Sequence, residues 1–214
     1  MEQLRQAFGW DDFPQPLFYE SKFALRFDLG GDQQMGITRF MQAMDRVRAV
    51  ASLVFEGSES LTVAIPYYGS RASRPAPAII RRALADVGFA GTIESLRRMA
   101  PRDEDEAEAE AEGNKRFLCV LEVPNNSDQI LPFIWASLAN EMPIAPRICC
   151  LARAYIMDMK RGLILYPYDD RGMDVVATSP DLLRPCYEQF NDWLLDYDRE
   201  RIERTFAVGV SNAE

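Results

Sequence analysis

Two short turns near the C-terminus constrain the fold most. Lys160-Arg161-Gly162 separates the apolar run Leu151–Met159 from Leu163–Tyr168, and Asp169-Asp170-Arg171-Gly172 separates that run from Met173–Ala177. A parallel crossover needs a dozen residues or more, so these three runs are expected as antiparallel neighbours. Asp at the first position and Gly at the fourth suit a type I turn ending in a left-handed glycine, which predicts a positive φ at Gly172. Ser179-Pro180-Asp181 then opens a helix, with Ser as N-cap, Pro at the first helical position and Asp at the positive end of the dipole. Leu183, Tyr187, Phe190, Leu194 and Tyr197 recur every three or four residues, the spacing of one long C-terminal helix with a buried face.

The earlier chain alternates strand and helix patterns. Met1–Glu20 mixes Trp10, Phe13, Phe18 and Tyr19 with prolines, as an irregular arm packed on the body would. Lys22–Leu29 alternates as a half-buried strand, and Thr38–Phe55 carries Phe40, Met44, Val47, Ala51 and Val54 on one helical face. Met41 and Met44 read as core filler. Further strands are expected at Leu61–Tyr67 and Phe117–Val123. Helices are expected from about Ala78 to Val87 and from Ser127 or Asp128 to about Asn140. Together these predict one α+β domain over residues 1–214: a mainly antiparallel sheet with helices packed on one face.

The net charge is −9, but Asp103–Glu112 alone holds seven acids and no base, so the rest of the chain is nearly neutral. Ala and Glu favour helix, yet like-charge repulsion and the lack of an apolar face favour a loop, so residues 103–116 are expected to be an acidic, mobile insertion. Arg97, Arg98 and Arg102 precede it and would neutralise it. Arg71, Arg74, Arg81 and Arg82 make a short basic patch without interleaved aromatics, which reads as a solvated helix face. This charge balance argues against a nucleic-acid partner. No apolar run is long enough to span a bilayer and no signal peptide opens the chain, so the expected location is cytoplasmic, with no membrane partner. Cys119, Cys149, Cys150 and Cys186 form no C-x-x-C. They suit buried thiols in a reducing compartment, the alternative being a redox or metal role for the vicinal pair.

There is no histidine. Ser-His-Asp and Cys-His catalysis and His-ligated zinc are therefore excluded. Neither a dinucleotide fingerprint nor a phosphate loop is present, and no cofactor is expected. The remaining candidates for chemistry are the carboxylates Asp169, Asp170 and Asp174 at the turn, and Asp196 and Asp198 downstream. If they converged they could bind Mg²⁺ or Ca²⁺ or do acid/base work. In the other reading Asp169 caps its own turn, Arg171 pairs with a neighbouring acid, and the downstream charges are a solvated helix end.

Tyr168-Asp169-Asp170-Arg171-Gly172-Met173-Asp174-Val175 and Trp193-Leu194-Leu195-Asp196-Tyr197-Asp198-Arg199-Glu200-Arg201-Ile202 resemble the closing signature of a bacterial family, domain of unknown function 3885. Arg171, Gly172, Trp193 and Tyr197 belong to those segments, and Leu25-Arg26-Phe27-Asp28-Leu29-Gly30 resembles the family's opening strand. The Ala/Glu tract departs from that pattern. The resemblance implies an α+β domain and assigns no activity or catalytic residue. The expected role is a non-catalytic protein-interaction domain, an immunity-type inhibitor covering a toxin being the concrete case. A carboxylate-dependent enzyme using Mg²⁺ or Ca²⁺ is the alternative. The oligomeric state is left open.

Overall fold

The computed structural model describes residues 2–70, 76–89 and 92–207. Helices α1 (Glu2–Phe8) and α2 (Leu17–Glu20) lie in the N-terminal arm, followed by β1 (Phe23–Asp28), α3 (Ile37–Val54), β2 (Ser60–Ser70), α4 (Ala76–Asp86) and β3 (Thr92–Arg98). Then come α5 (Glu104–Ala111), β4 (Asn114–Pro124), α6 (Ser127–Leu138), β5 (Tyr155–Asp158), β6 (Leu163–Pro167), β7 (Gly172–Ala177), α7 (Pro180–Gln189) and α8 (Arg199–Ala207). The strands form one antiparallel sheet in the order β1-β7-β6-β5-β2-β4-β3, with β5, β6 and β7 adjacent as the short turns require. The domain is α+β. Among the described residues no helix is long and apolar enough to cross a membrane.

Pairing register divides the sheet into two chemically different faces. Leu25, Val175, Leu165, Ile156, Val63 and Leu121 form one continuous cross-strand row. All six are fully buried, each contributing about 1.5–3 kcal/mol on the usual burial scale. Helices α3, α6 and α7 pack on this side. One residue along, the neighbouring row Arg26–Asp174–Tyr166 points to the opposite face, because strand side chains alternate. That face is covered by the arm. The Phe13 ring stacks on Tyr155 at 3.9 Å between centroids, and α2 packs against β1 and β7. The long helices thus lie on one face as expected, while the arm with its two short helices closes the other. Phe13, Leu17 and Phe18 are buried there.

The strand expected over Leu151–Met159 shortens to Tyr155–Asp158, with Leu151 in a 3-10 turn, and the sequence pattern and the structure part more sharply in four places. First, the C-terminal segment is two helices, not one long one. The helix stops at Gln189, and single 3-10 turns at Asn191–Trp193 and Asp196–Asp198 precede α8. The cause is strand-like pairing with β1. Leu194 bridges Phe27, and the Leu195 N–H donates to the Arg26 carbonyl at 2.9 Å, which holds both leucines in extended backbone. Tertiary pairing therefore overrides the helical period, leaving Leu194 buried and Tyr197 86% exposed.

Second, Glu104–Ala111 is helical rather than a loop, and Asn114–Arg116 already belong to β4. Asp103 caps the helix by accepting from the Glu106 N–H at 2.9 Å. Arg98 pairs with Glu110 and Arg102 with Glu106, so these arginines relieve the repulsion that favoured a loop. Bonds from the Arg102 side chain and backbone and from Tyr68 outweigh burial and hold the Glu106 carboxyl down to about 2. Third, β3 carries only weak strand signals in TIESLRR, because it is an edge strand with polar residues exposed; β4 pairs with it along most of its length. Fourth, Gly172 does not have positive φ. A Cβ there would lie 2.7 Å from Tyr168 Cζ and 3.1 Å from the Phe27 carbonyl oxygen. Glycine is required by close approach instead of by a left-handed turn.

Arg71 and Arg74 lie outside the described residues, as does the Cys149 side chain. Arg81 and Arg82 are exposed on α4. Cys119 and Cys186 are buried, and burial pushes their thiols up to about 11 and about 12, the behaviour of inert core cysteines.

The Gly172 geometry gives a direct prediction. Gly172→Ala lowers stability by about 1–3 kcal/mol, the usual cost of overpacking. Shrinking the ring in Gly172→Ala/Tyr168→Leu recovers part of the loss, because the two sites couple. Urea denaturation of the four species measures this; strictly additive losses would show that the Tyr168 contact is not the cause.

Candidate functional site

The Arg26 side chain stands at a polar position of β1, directly across from Asp174 in β7. Its Nε donates to Asp174 Oδ1 at 2.8 Å and its Nη2 to Oδ2 at 3.2 Å, a two-pronged grip that suits the planar guanidinium. Nη1 reaches Asp198 Oδ2 at 3.4 Å. Asp174 also accepts from the Phe18 backbone N–H at 3.2 Å, and Asp198 accepts from the Tyr19 hydroxyl at 2.8 Å. Side-chain exposures are 13% for Arg26, 2% for Asp174 and 4% for Asp198. The guanidinium also lies over the Phe18 and Tyr19 rings, at 4.7 and 4.9 Å. One cation therefore joins the arm, two strands and the C-terminal segment.

Burial raises the Asp174 carboxyl above its usual range, and the Arg26 bonds and charge oppose that rise. The Arg26 pKa itself goes up: its bonds and charge pairing with Asp174 overcome a desolvation that acts the other way. The Tyr19 phenol is raised chiefly by its hydrogen bond to Asp198.

The other candidate carboxylates have separate partners. Asp169 accepts from the Arg171 backbone N–H at 2.8 Å and from Arg171 Nε at 2.8 Å, closing its own turn. Asp170 is buried and stands 2.7 Å from Arg39 Nε of α3; the two atoms are close but not aligned as a hydrogen bond, so the attraction is ionic. Burial raises the Asp170 carboxyl, against the pull of Arg39. Asp196 is 92% exposed and meets Arg199 on the surface. Of the five acids only Asp174 and Asp198 are brought together, and they meet at an arginine. Among the described residues no group of three His, Cys, Asp or Glu side chains is placed to hold a metal ion. A carboxylate already accepting from a guanidinium and a backbone N–H has little capacity left to act as a base or ligand.

Beside this network two cavities adjoin, sharing Gln15, Arg153 and Tyr166 in their walls. The smaller, about 330 Å³, is lined by Arg26, Asp174, Tyr168, Asp169 and Arg171 among others. The larger, about 630 Å³, is lined by Arg102, Arg116, Arg153, Tyr67, Tyr68 and Tyr155 among others. Sequence pattern alone marked none of these arginines as a site. The available signal was weak: Arg26 occupies a polar position in a strand whose neighbours are buried, and only the pairing of β1 with β7 shows that Asp174 stands opposite. Trp193, from the signature segment, stacks on Phe190 and lies under Arg46 at 5.3 Å, while Tyr197 is exposed.

Replacing Arg26 by Met strands two buried carboxylates. Stability at pH 7 falls by about 3–5 kcal/mol, the usual cost of breaking a buried pair. The deficit shrinks as the pH falls from 7 into the acid range, because the Asp174 carboxyl, already raised by burial, takes up a proton and no longer needs the cation, and Asp174→Asn in the same chain restores part of the loss. Urea titrations across that pH range check both signs; a loss independent of pH would point to packing alone.

The family model described as Domain of unknown function (DUF3885) matches residues 1–198. Over 43 residues the chain is 35% identical to the Uncharacterized protein YnaE of Bacillus subtilis (strain 168), a stretch covering 20% of each protein. The chain thus spans about one fifth of that relative's length. No solved structure matches the chain. Residues 168–175 form the hairpin loop with the start of β7, residues 193–202 include the bridge that carries Asp198 to Arg26, and with nearly the whole chain matched, it belongs to the DUF3885 family of domains of unknown function.

Proposed function

We propose that the chain is a non-catalytic protein-interaction domain of the cytoplasm, an immunity-type inhibitor that covers a toxin being the concrete case. The observation that carries this reading is an apolar patch at the start of α3. Met35, Ile37 and Met41 are 68%, 64% and 50% exposed. Ile37 and Met41 are four residues apart on one helical face, and Met35 immediately precedes them. Met44, three residues further along the helix, is buried, so of that pair Met41 faces outward beside Met35. Clustered large apolar side chains on a surface mark contact sites, and flexible methionines adapt to a partner's shape.

Charge supports the same reading. Glu104, Asp105, Glu108 and Glu112 are exposed, and such a segment would steer a basic partner. The Mg²⁺- or Ca²⁺-dependent enzyme has less support, because the acids it needs are engaged by arginines and backbone.

A photo-crosslinking amino acid at position 41, expressed in the source cell, tests the proposal. A discrete adduct with a different protein is expected, reduced about tenfold by Ile37→Asp, equivalent to about 1.4 kcal/mol of binding. The same probe at position 160, on the exposed β5–β6 turn, should give none. Adducts of equal yield at both positions would contradict the reading, and an adduct only with a second copy of the chain would replace it with self-association.

A further inference from the structure

The larger cavity has a composition at odds with the chain around it. The protein carries a net charge of −9, yet the charged side chains lining this cavity are Arg102, Arg116 and Arg153, with no acid among them. Its volume of about 630 Å³ falls within the range of small-molecule sites, about 300–1,000 Å³. Much of the remaining wall is tyrosine: Tyr67, Tyr155 and Tyr166, with Tyr68 at the rim. Guanidinium forks match phosphate and carboxylate groups, and phenol rings such as that of Tyr67 offer flat faces for stacking, whereas Tyr155 is itself sandwiched between Phe13 and Tyr166.

The wall is also fixed before any ligand arrives. Arg116 is 5% exposed and is held by Asp12 at 2.5 Å and by the Ala100 carbonyl at 3.2 Å. Its Nε is buried and has no hydrogen-bond partner among the described residues, a costly state for a polar atom that calls for an explanation. Arg102 is held by Glu106 and Tyr68. Tyr155 and Tyr166 stack at 4.2 Å and are hydrogen-bonded, with Gln15 donating to Tyr155 from the arm. Arg153 stands at the mouth with φ 56°, a left-handed conformation uncommon outside glycine. Its N–H donates to the buried Ser137 hydroxyl at 2.9 Å, which holds that conformation. Its side chain reaches Glu141 through Nη2 alone, at 3.4 Å. Strained residues held by their surroundings gather at ligand sites. Burial raises the phenols of Tyr67, Tyr155 and Tyr166, so they remain neutral hydroxyl donors.

We propose that this cavity is a binding site for a nucleotide-sized organic anion, a planar ring bearing a phosphate group, with the arginines taking the phosphate and the tyrosines the ring. A bare inorganic anion would leave most of the volume and the aromatic wall unused. An uncharged ring would make no use of the guanidinium donors left over beside Asp12, Glu106 and Glu141, the Arg116 Nε among them. The proposal is independent of the α3 surface.

Calorimetric titration of the full chain with AMP, GMP, CMP and UMP tests it, with the matching nucleosides and inorganic phosphate run alongside. At least one monophosphate is expected to bind saturably, with its nucleoside and free phosphate each at least tenfold weaker. Arg153→Gln should weaken the monophosphate at least tenfold. This residue is exposed, so the variant is expected to fold, and an unchanged melting temperature would confirm that. Lys160→Gln should bind as the parent does. No saturable binding by any monophosphate, equal binding of phosphate alone, or parental affinity in a folded Arg153→Gln would each overturn the proposal.

Discussion

Arg26 is the constraint on which the rest of this structure depends. A guanidinium cannot shed its charge, so it can be largely buried only where anions meet it. Asp174 meets it across the sheet, and Asp198 meets it from the C-terminal segment. Each acid then needs further donors, and the arm supplies them through the Phe18 N–H and the Tyr19 hydroxyl. Arg201 of α8 also donates to the Tyr19 carbonyl at 2.8 Å and lies over the Phe18 and Tyr19 rings. Chain ends far apart in sequence are thereby locked to one position on β1. The broken C-terminal helix follows from this arrangement. A continuous helix would leave the outer edge of β1 unpaired at Phe27, which β7 pairs on the other side, and would carry Asp198 away from Arg26.

The same network bears on function. Conspicuous carboxylates suggest acid/base or metal chemistry when read along the chain. In space Asp174, Asp198, Asp169 and Asp170 each face an arginine, and their role in the fold is to neutralise it. The features left over are of another kind: an apolar patch on α3, exposed acids on α5, and a cationic, tyrosine-walled cavity. These three are the observations on which the two binding proposals rest.

Much of the fold was legible because local rules were strong where the core is. The short turns dictated antiparallel β5, β6 and β7, and the period of α3 placed Phe40, Val47 and Val54 inside. Legibility failed where a distant partner decides the outcome. The helical period through Leu194 gave no sign that β1 would take its backbone. The like charges of α5 hid a helix because the spacing showed that Arg98 and Arg102 were near the tract but not that each would pair with a particular glutamate on it. Gly172 was read as a left-handed turn residue because Asp-Asp-Arg-Gly fits that pattern; the ring of Tyr168, folded back over it, is a tertiary fact. The cavity was invisible for the same reason. Its arginines come from β4, from the loop after β3 and from the loop before β5, and no spacing links them.

The most direct measurement is native-state hydrogen exchange at the Phe18 amide. This N–H has its acceptor in Asp174, and it reports whether the arm is clasped to the sheet. If the Arg26–Asp174–Asp198 network organises the fold, Phe18 exchanges about as slowly as core strand amides such as that of Leu165, because it opens only with the whole domain. Exchange at the rate of a solvent-exposed amide, while Leu165 stays protected, would show that the arm detaches freely and that the network is not what holds the molecule together.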